Sequence, residues 1–168
     1  PAAGPVHLGP LINDRQAEKV AEVVERSAAL GARVLAGGKR DGRYFPATVL
    51  AGVTPEMPAY TEEIFGPVAP ITVFDSDDEA VALVNGSDYG LAVAIHSASV
   101  TRAQRMAARL RAGMVHINDQ TVNNEFQVPF GGMGASGNGS RFGGPASFEE
   151  FSQTQWVSVM DQGIQYPF

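Results

Sequence analysis

The chain has 168 residues, 44% of them hydrophobic and 18% charged, which is enough apolar material for one domain-sized core. A net charge of −6 spread without long blocks leaves no basic stripe for nucleic acid or an anionic membrane, and the absence of cysteine excludes a disulfide framework and thiolate metal sites. No stretch approaches the roughly 18 uninterrupted apolar residues of a membrane span, and none has the charged-then-apolar pattern of a secretory signal, so a cytoplasmic protein is expected.

The chain opens on Pro1-Ala2-Ala3-Gly4-Pro5 without an initiator methionine, and Leu8-Gly9-Pro10-Leu11-Ile12 is already apolar. A piece of a longer chain is the expectation. Asn13 can cap a first helix with Gln16 at the capping-box position, and Ala17, Val20, Ala21, Val24 and Ala28 recur at helical spacing. Gly31 is the expected left-handed stop. Arg33-Val34-Leu35-Ala36 reads as a short strand closed by Gly37-Gly38, and after a charged turn over 39–43 comes a second, Ala47-Thr48-Val49-Leu50. Pro55-Glu56-Met57-Pro58 sustains neither helix nor ladder. Residues 68–74 form an apolar, β-branched run expected to be an interior strand.

Ser76 and Glu79 make a second capping box, with Ala80, Val81 and Val84 facing inward and Gly86 as the stop. Leu91-Ala92-Val93-Ala94-Ile95 is apolar throughout, as in a strand covered on both faces. Residues 101–112 follow as a helix with Ala103, Met106, Ala107 and Leu110 on one side, and Met114-Val115-His116-Ile117-Asn118 as a further strand. Strands alternating with helices predict βαβ units and an α/β fold with a largely parallel sheet. That regularity stops at Asp119. From 119 to 145 the chain is rich in Gly, Asn, Ser and Pro, too long for a plain connection, and loops of that kind are usually functional. Thr154-Gln155-Trp156-Val157-Ser158-Val159 then alternates polar and apolar as a two-faced strand does.

Several chemical motifs fail on inspection. Gly132-Met133-Gly134-Ala135-Ser136-Gly137 spells G-x-G-x-x-G, but Pro129-Phe130-Gly131 precedes it and Asn138-Gly139-Ser140 follows, where a dinucleotide fingerprint needs a strand and a helix. The glycines are read instead as permitting tight backbone approach to a ligand or another segment. No G-x-S-x-G elbow is present. His7, His96 and His116 are scattered without ligand spacing, so no metal is expected, and His116 is read as a packed or exposed strand residue. Arg102, Arg105, Arg109 and Arg111 read as a solvated helix face, and Asp75, Asp77, Asp78 and Glu79 as acids suited to a helix N-terminus.

The run Glu62-Glu63-Ile64-Phe65-Gly66-Pro67-Val68 sets two carboxylates on a loop that turns directly into a strand. Carboxylates so placed can accept paired hydrogen bonds from a vicinal diol, although a solvated acidic loop is the plainer reading. This segment resembles the Glu-containing cofactor motif of the NAD(P)-dependent aldehyde dehydrogenases. Pro129-Phe130-Gly131-Gly132 resembles the signature that follows the substrate loop in the same family. Asn118-Asp119-Gln120-Thr121-Val122-Asn123 and Gly139-Ser140-Arg141-Phe142-Gly143-Gly144-Pro145-Ala146 resemble its aromatic-aldehyde members, the benzaldehyde and vanillin dehydrogenases.

The resemblance runs from Gly9-Pro10-Leu11 through Trp156-Val157 and carries specific implications. Glu63 holds the nicotinamide ribose of NAD or NADP and Phe65 packs beside it. Residues 119–128 line the aldehyde funnel, with Asp119, Gln120, Asn123, Phe126 and Phe130 as candidate lining residues. The implied fold is a three-layer α/β/α catalytic domain with a largely parallel sheet. Residues 1–150 would form a partial catalytic domain lacking the nucleophile segment, and residues 151–168 an oligomerisation tail whose strand joins subunits into a dimer or tetramer. The family's Cys nucleophile and general-base Glu lie upstream of the matched region, so this stretch contributes no catalytic residue, needs the rest of its own chain, and is expected to be inert alone. An inert scaffold or binding subunit without the nucleophile, and an acylating semialdehyde dehydrogenase, are the competing readings.

Overall fold

The computed structural model describes residues 7–163, 165 and 167. The opening run 1–5 and residues 164, 166 and 168 of the expected tail lie outside the described residues. The chain divides into two compact units, Pro1–Leu83 and Val84–Phe168.

The first unit is organised by α1 (Asp14–Ala29). Asn13 Oδ1 accepts from the Gln16 amide at 2.8 Å, capping the helix as the sequence predicts. The reciprocal half of the capping box does not form, because the Gln16 side chain is committed elsewhere. At the far end Ala32 N donates to Ser27 O and Gly31 N to Ala28 O, both at 3.0 Å, with Gly31 at φ +110°. This is the paired Schellman closure, at the expected glycine. Val20, Val23 and Val24 of α1 pack with Ala32, Phe45, Leu50, Val53, Met57 and Ala59 as the core.

Three strands complete this unit: β1 (Arg33–Ala36), β2 (Thr48–Ala51) and β3 (Val68–Ile71), in the order β1-β2-β3. β1 and β2 are antiparallel with an irregularity between Val34 and Ala36, while β2 and β3 are parallel from Thr48↔Val68 to Ala51↔Ile71. The expected interior strand over 68–74 is shorter and sits at the sheet edge, with Ala69, Pro70 and Ile71 exposed. Pro70 brings no N–H to a ladder, and an edge is where a sheet tolerates that. A second correction falls on Pro58. It does not exclude a helix but begins one, α2 (Pro58–Thr61), since the first helical position needs no donor.

Helix α3 (Asp77–Asn85) runs from the first unit into the second. Ser76 Oγ accepts from Glu79 N at 3.1 Å, and Glu79 Oε2 accepts from Asp75 N at 2.7 Å. Ala80 and Val81 are buried as expected, but Val84 is 39% exposed. The second unit contains β4 (Tyr89–Gly90), β5 (Ala92–Ile95), α4 (Val100–Ala107), β6 (Met114–Ile117), β7 (Met133–Gly134) and α5 (Ala146–Glu150). β5 and β6 are a parallel pair bridged by α4, registered from Ala92↔Met114 to Ile95↔Ile117, and β4 pairs with β7 antiparallel.

Three expectations are corrected here. α4 ends at Ala107, not 112, because the Asn85 side chain takes Arg109 O at 2.9 Å and Arg111 N at 2.8 Å, groups a longer helix would have used internally. Residues 92–95 are only half-buried and Leu91 is exposed, so β5 is not covered on both faces by the described residues. Residues 153–160 form neither helix nor strand; Trp156 is 91% exposed, and Val157, Val159 and Met160 are exposed as well. The α/β character stands: helices and strands alternate, with one parallel pair in each unit.

Candidate functional site

In the first unit, one stripe of α1 does two jobs. Val20 and Val23 enter the core, while Gln16, Lys19, Arg26 and Ser27, at compatible helical spacing, grip the backbone and side chains of residues 59–66. Gln16 Nε2 donates to Ile64 O at 2.8 Å and to Phe65 O at 3.2 Å. Lys19 Nζ donates to Glu63 O at 2.9 Å. Arg26 faces Glu62 at 3.5 Å, and the buried Ser27 Oγ accepts from Ala59 N at 3.0 Å. A Cβ placed on Gly66 would lie 2.6 Å from Val20 Cγ2, so only glycine lets the loop come this close to the helix.

The strapping holds an unfavourable backbone. Phe65 has φ +49°, a conformation that costs an L-residue roughly 1–2 kcal/mol. The result is a fixed presentation. Glu63 is exposed, its carbonyl is held by Lys19, and its carboxylate has no hydrogen-bond or ion-pair partner among the described residues. The Phe65 ring, 70% exposed, offers a flat apolar face two residues on. A carboxylate with open lone pairs can accept from both hydroxyls of a sugar diol, and an exposed ring beside it can pack against the sugar.

In the second unit, residues from 123 to 130 and from β6 line an open cleft of about 370 Å³. Met114, Val115 and His116 form one wall, and Asn123, Val128 and Phe130 are on the other. His116 Nε2 is buried there without a hydrogen-bond partner among the described residues. Beyond the cleft the loop is stitched to the following segment. Phe130 and Phe142 exchange backbone bonds at 2.7 and 3.0 Å, their rings lie 5.1 Å apart, and Gly144 N donates to Phe126 O at 3.0 Å.

The five funnel candidates therefore separate. Asn123 and Phe130 line the cleft. Asp119 instead braces the loop: its carboxylate accepts from Gln120 N at 2.8 Å and Asn123 Nδ2 at 2.6 Å, and these donors, the Gln120 amide first, hold its carboxyl below the usual aspartate range. Gln120 supplies that amide, with its side chain exposed. Phe126 is 91% exposed and contributes its backbone carbonyl. Glu63 and Phe65 belong to the first unit, the cleft to the second.

The G-x-G-x-x-G run is a turn and not a fingerprint. Gly134 pairs with Tyr89, Gly137 N donates to Gly134 O, and the next helix among the described residues begins only at Ala146. Its glycines serve close backbone approach: a Cβ on Gly132 would fall 2.2 Å from Ser136 O, and one on Gly137 2.2 Å from Gly132 O. The contacts of Gln16 and Lys19 with this loop were not read from the sequence: Gln16 was legible as a capping-box residue and Lys19 as a polar position beside the apolar stripe of α1, while their partners lie 44 to 49 residues away.

The model of the aldehyde dehydrogenase family matches residues 1–157. Benzaldehyde dehydrogenase [NAD(+)] of Pseudomonas putida is 56% identical over 168 residues, covering 100% of this chain and 34% of that protein. Vanillin dehydrogenase of an Amycolatopsis species is 48% identical over 164 residues, covering 97% and 34%. Among solved structures, a salicylaldehyde dehydrogenase from P. putida G7 complexed with salicylaldehyde superposes with TM-score 0.88 at 35% identity, over 96% of this chain and 33% of that one. An NAD-dependent aldehyde dehydrogenase from Sinorhizobium meliloti gives 0.87 at 37% identity, over 96% and 32%. The chain thus spans about a third of the length of the relatives it matches.

Proposed function

This chain belongs to the aldehyde dehydrogenase family, and from that premise we propose that it is one part of an NAD(P)-dependent enzyme that oxidises an aldehyde, aromatic by preference, to the carboxylic acid. The observation that carries the reading is the strapped loop over 62–66, which presents an unpaired Glu63 carboxylate beside the Phe65 ring. Glu63 accepts from the hydroxyls of the nicotinamide ribose, and Phe65 limits where the sugar and its ring can lie. Gln16 and Lys19 fix the loop that aims both. The nicotinamide, when bound, supplies the hydride acceptor. The cleft against β6 contributes part of the aldehyde funnel, where Phe130, Val128 and Met114 offer an apolar surface suited to an aromatic ring.

The family reaction also needs a thiolate nucleophile and a general base that activates water for hydrolysis of the thioester. These 168 residues contain no cysteine, so the nucleophile comes from the rest of the protein, and the chain by itself is inert. The aromatic preference is supported by the benzaldehyde and vanillin dehydrogenases among the relatives. The test is reduction of NAD+ or NADP+ followed at 340 nm. The full-length protein should show it in the presence of benzaldehyde, and the 168-residue chain should not. Activity of the isolated chain above a no-protein control contradicts the division of labour.

Residues 151–168 act in this reading as an oligomerisation tail. Exposed apolar residues on 156–160, with no described strand beside them, suit strand addition by another subunit. Val157→Pro removes one ladder donor and should lower the oligomer mass of the full-length protein in light scattering. An unchanged mass rules the tail out of the subunit contact.

A further inference from the structure

The parallel β5–β6 ladder does not stop where its backbone geometry does. Asn118 N donates to Ile95 O at 2.8 Å, the last regular bond of the pair. In a parallel ladder the next two bonds would run from Ser97 N to the Asn118 carbonyl and from residue 120 N to the Ser97 carbonyl. Asn118 stands at φ +56°, which turns its backbone away from β5 and makes neither bond available. Its side chain makes both. Ser97 N donates to Asn118 Oδ1 at 2.8 Å, and Asn118 Nδ2 donates to Ser97 O at 3.0 Å.

Asparagine is suited to this in two ways: it tolerates the left-handed region better than most residues, and its amide carries an acceptor and a donor side by side. The backbone released in this way enters the turn braced by Asp119, whose carboxylate takes Gln120 N and Asn123 Nδ2. Ser97 is used on its other side as well. Its Oγ accepts from Ser99 N at 3.1 Å, and Ser99 Oγ accepts from Arg102 N at 3.3 Å, capping α4.

We infer that Asn118 is the positioning residue of the 119–128 loop: its side chain completes the strand pair so that its backbone is free to launch the loop over the β6 cleft. Asn118 lies outside the lining of that cleft, so its effect on an aldehyde passes through Asn123 and Phe130, and this last step rests on the aldehyde-oxidising reading above. Asn118→Gly keeps the positive φ and deletes the clamp. Asn118→Asp keeps the acceptor for Ser97 N and loses the donor.

The experiment is hydrogen exchange on the full-length protein and its two variants, followed by aldehyde kinetics. The glycine variant should exchange about tenfold faster at the Ser97 amide and across 119–128, the ratio that corresponds to losing one to two neutral hydrogen bonds, while residues 92–95 and 114–117 stay protected. The aspartate variant should fall between it and the parent. The aldehyde KM should rise about tenfold in the glycine variant, with kcat and the cofactor KM within twofold. Unchanged exchange across 119–128 in the glycine variant overturns the inference, as does an aspartate variant that folds with parental exchange while the glycine variant does not fold. If the parent oxidises no aldehyde, the proposed function fails, and the exchange result still decides the role of Asn118.

Discussion

Replacing Gln16 by methionine keeps the side-chain length, leaves Asn13 to cap α1, and removes the donor that Ile64 O and Phe65 O share at 2.8 and 3.2 Å. Each neutral bond of this kind contributes about 0.5–1.5 kcal/mol net, so roughly 2 kcal/mol of loop fixation is at stake. Against it stands Phe65 at φ +49°, a conformation that costs about 1–2 kcal/mol. The two terms are of equal size, so the loop should lose its single conformation once the donor is gone. A change of about 2 kcal/mol is roughly a thirtyfold shift in population. The Lys19 bond to Glu63 O at 2.9 Å persists and keeps the loss local. Hydrogen exchange on the full-length protein should show the Val68 amide, which donates to Gly66 O at 2.8 Å, exchanging at least tenfold faster, with α1 still protected, together with weaker cofactor binding. Parental exchange at Val68 with parental cofactor binding would refute the claim that Gln16 holds the loop.

Gly113→Ala places a methyl 1.6 Å from Gly131 O, and backbone must move to accommodate it. The expected loss is about 1–3 kcal/mol in a urea titration, and an unchanged midpoint would show that the close approach is not needed. Acid should loosen the 119–123 turn. The carboxyl of Asp119 is lowered in the folded chain by its hydrogen bonds from Gln120 and Asn123, so its contribution is complete above the ordinary aspartate value and fades as pH falls through the lower folded value. An NMR titration of Asp119 and the Gln120 amide should find both moving together below the ordinary range. Titration of Asp119 at the ordinary value would refute the bracing role.

The helix beginnings were legible because capping is local: Asn13 and Ser76 each hold an amide three residues on. Gly31 as a stop was equally local. β1, β2, β3, β5 and β6 were visible as apolar runs, but not their neighbours, and the two-residue β4 and β7 carried no such signal. The same run 68–71 reads as interior from composition and stands at an edge in the sheet order. The length of α4 was misjudged because helix propensity over 101–112 says nothing of Asn85, whose amide intercepts Arg109 O and Arg111 N.

The loop proposed to hold the cofactor could be named through Glu63 and Phe65, which stand in a contiguous motif. The device that shapes it was not. Gln16 is a sound capping-box residue by spacing, and only tertiary contact turns its side chain toward carbonyls 48 and 49 residues away. The proposed funnel shows the same limit from the other side. Asp119, Asn123 and Phe130 could be named together from one stretch, yet Asp119 holds the turn while Asn123 and Phe130 face the cleft, a division made by backbone direction after Asn118.

Glu63→Gln in the full-length enzyme tests the central claim most directly, because it conserves shape and removes the charge from the one acceptor assigned to the ribose. Charge-assisted bonds of that type contribute about 1.5–3 kcal/mol, which corresponds to a loss of roughly tenfold to a hundredfold. Stopped-flow measurement of hydride transfer, with NAD+ or NADP+ and benzaldehyde, should show slower transfer and weaker cofactor binding of that order. The far-UV circular dichroism should be unchanged. A parental hydride-transfer rate at parental cofactor affinity would remove Glu63, and with it the strapped loop, from the site.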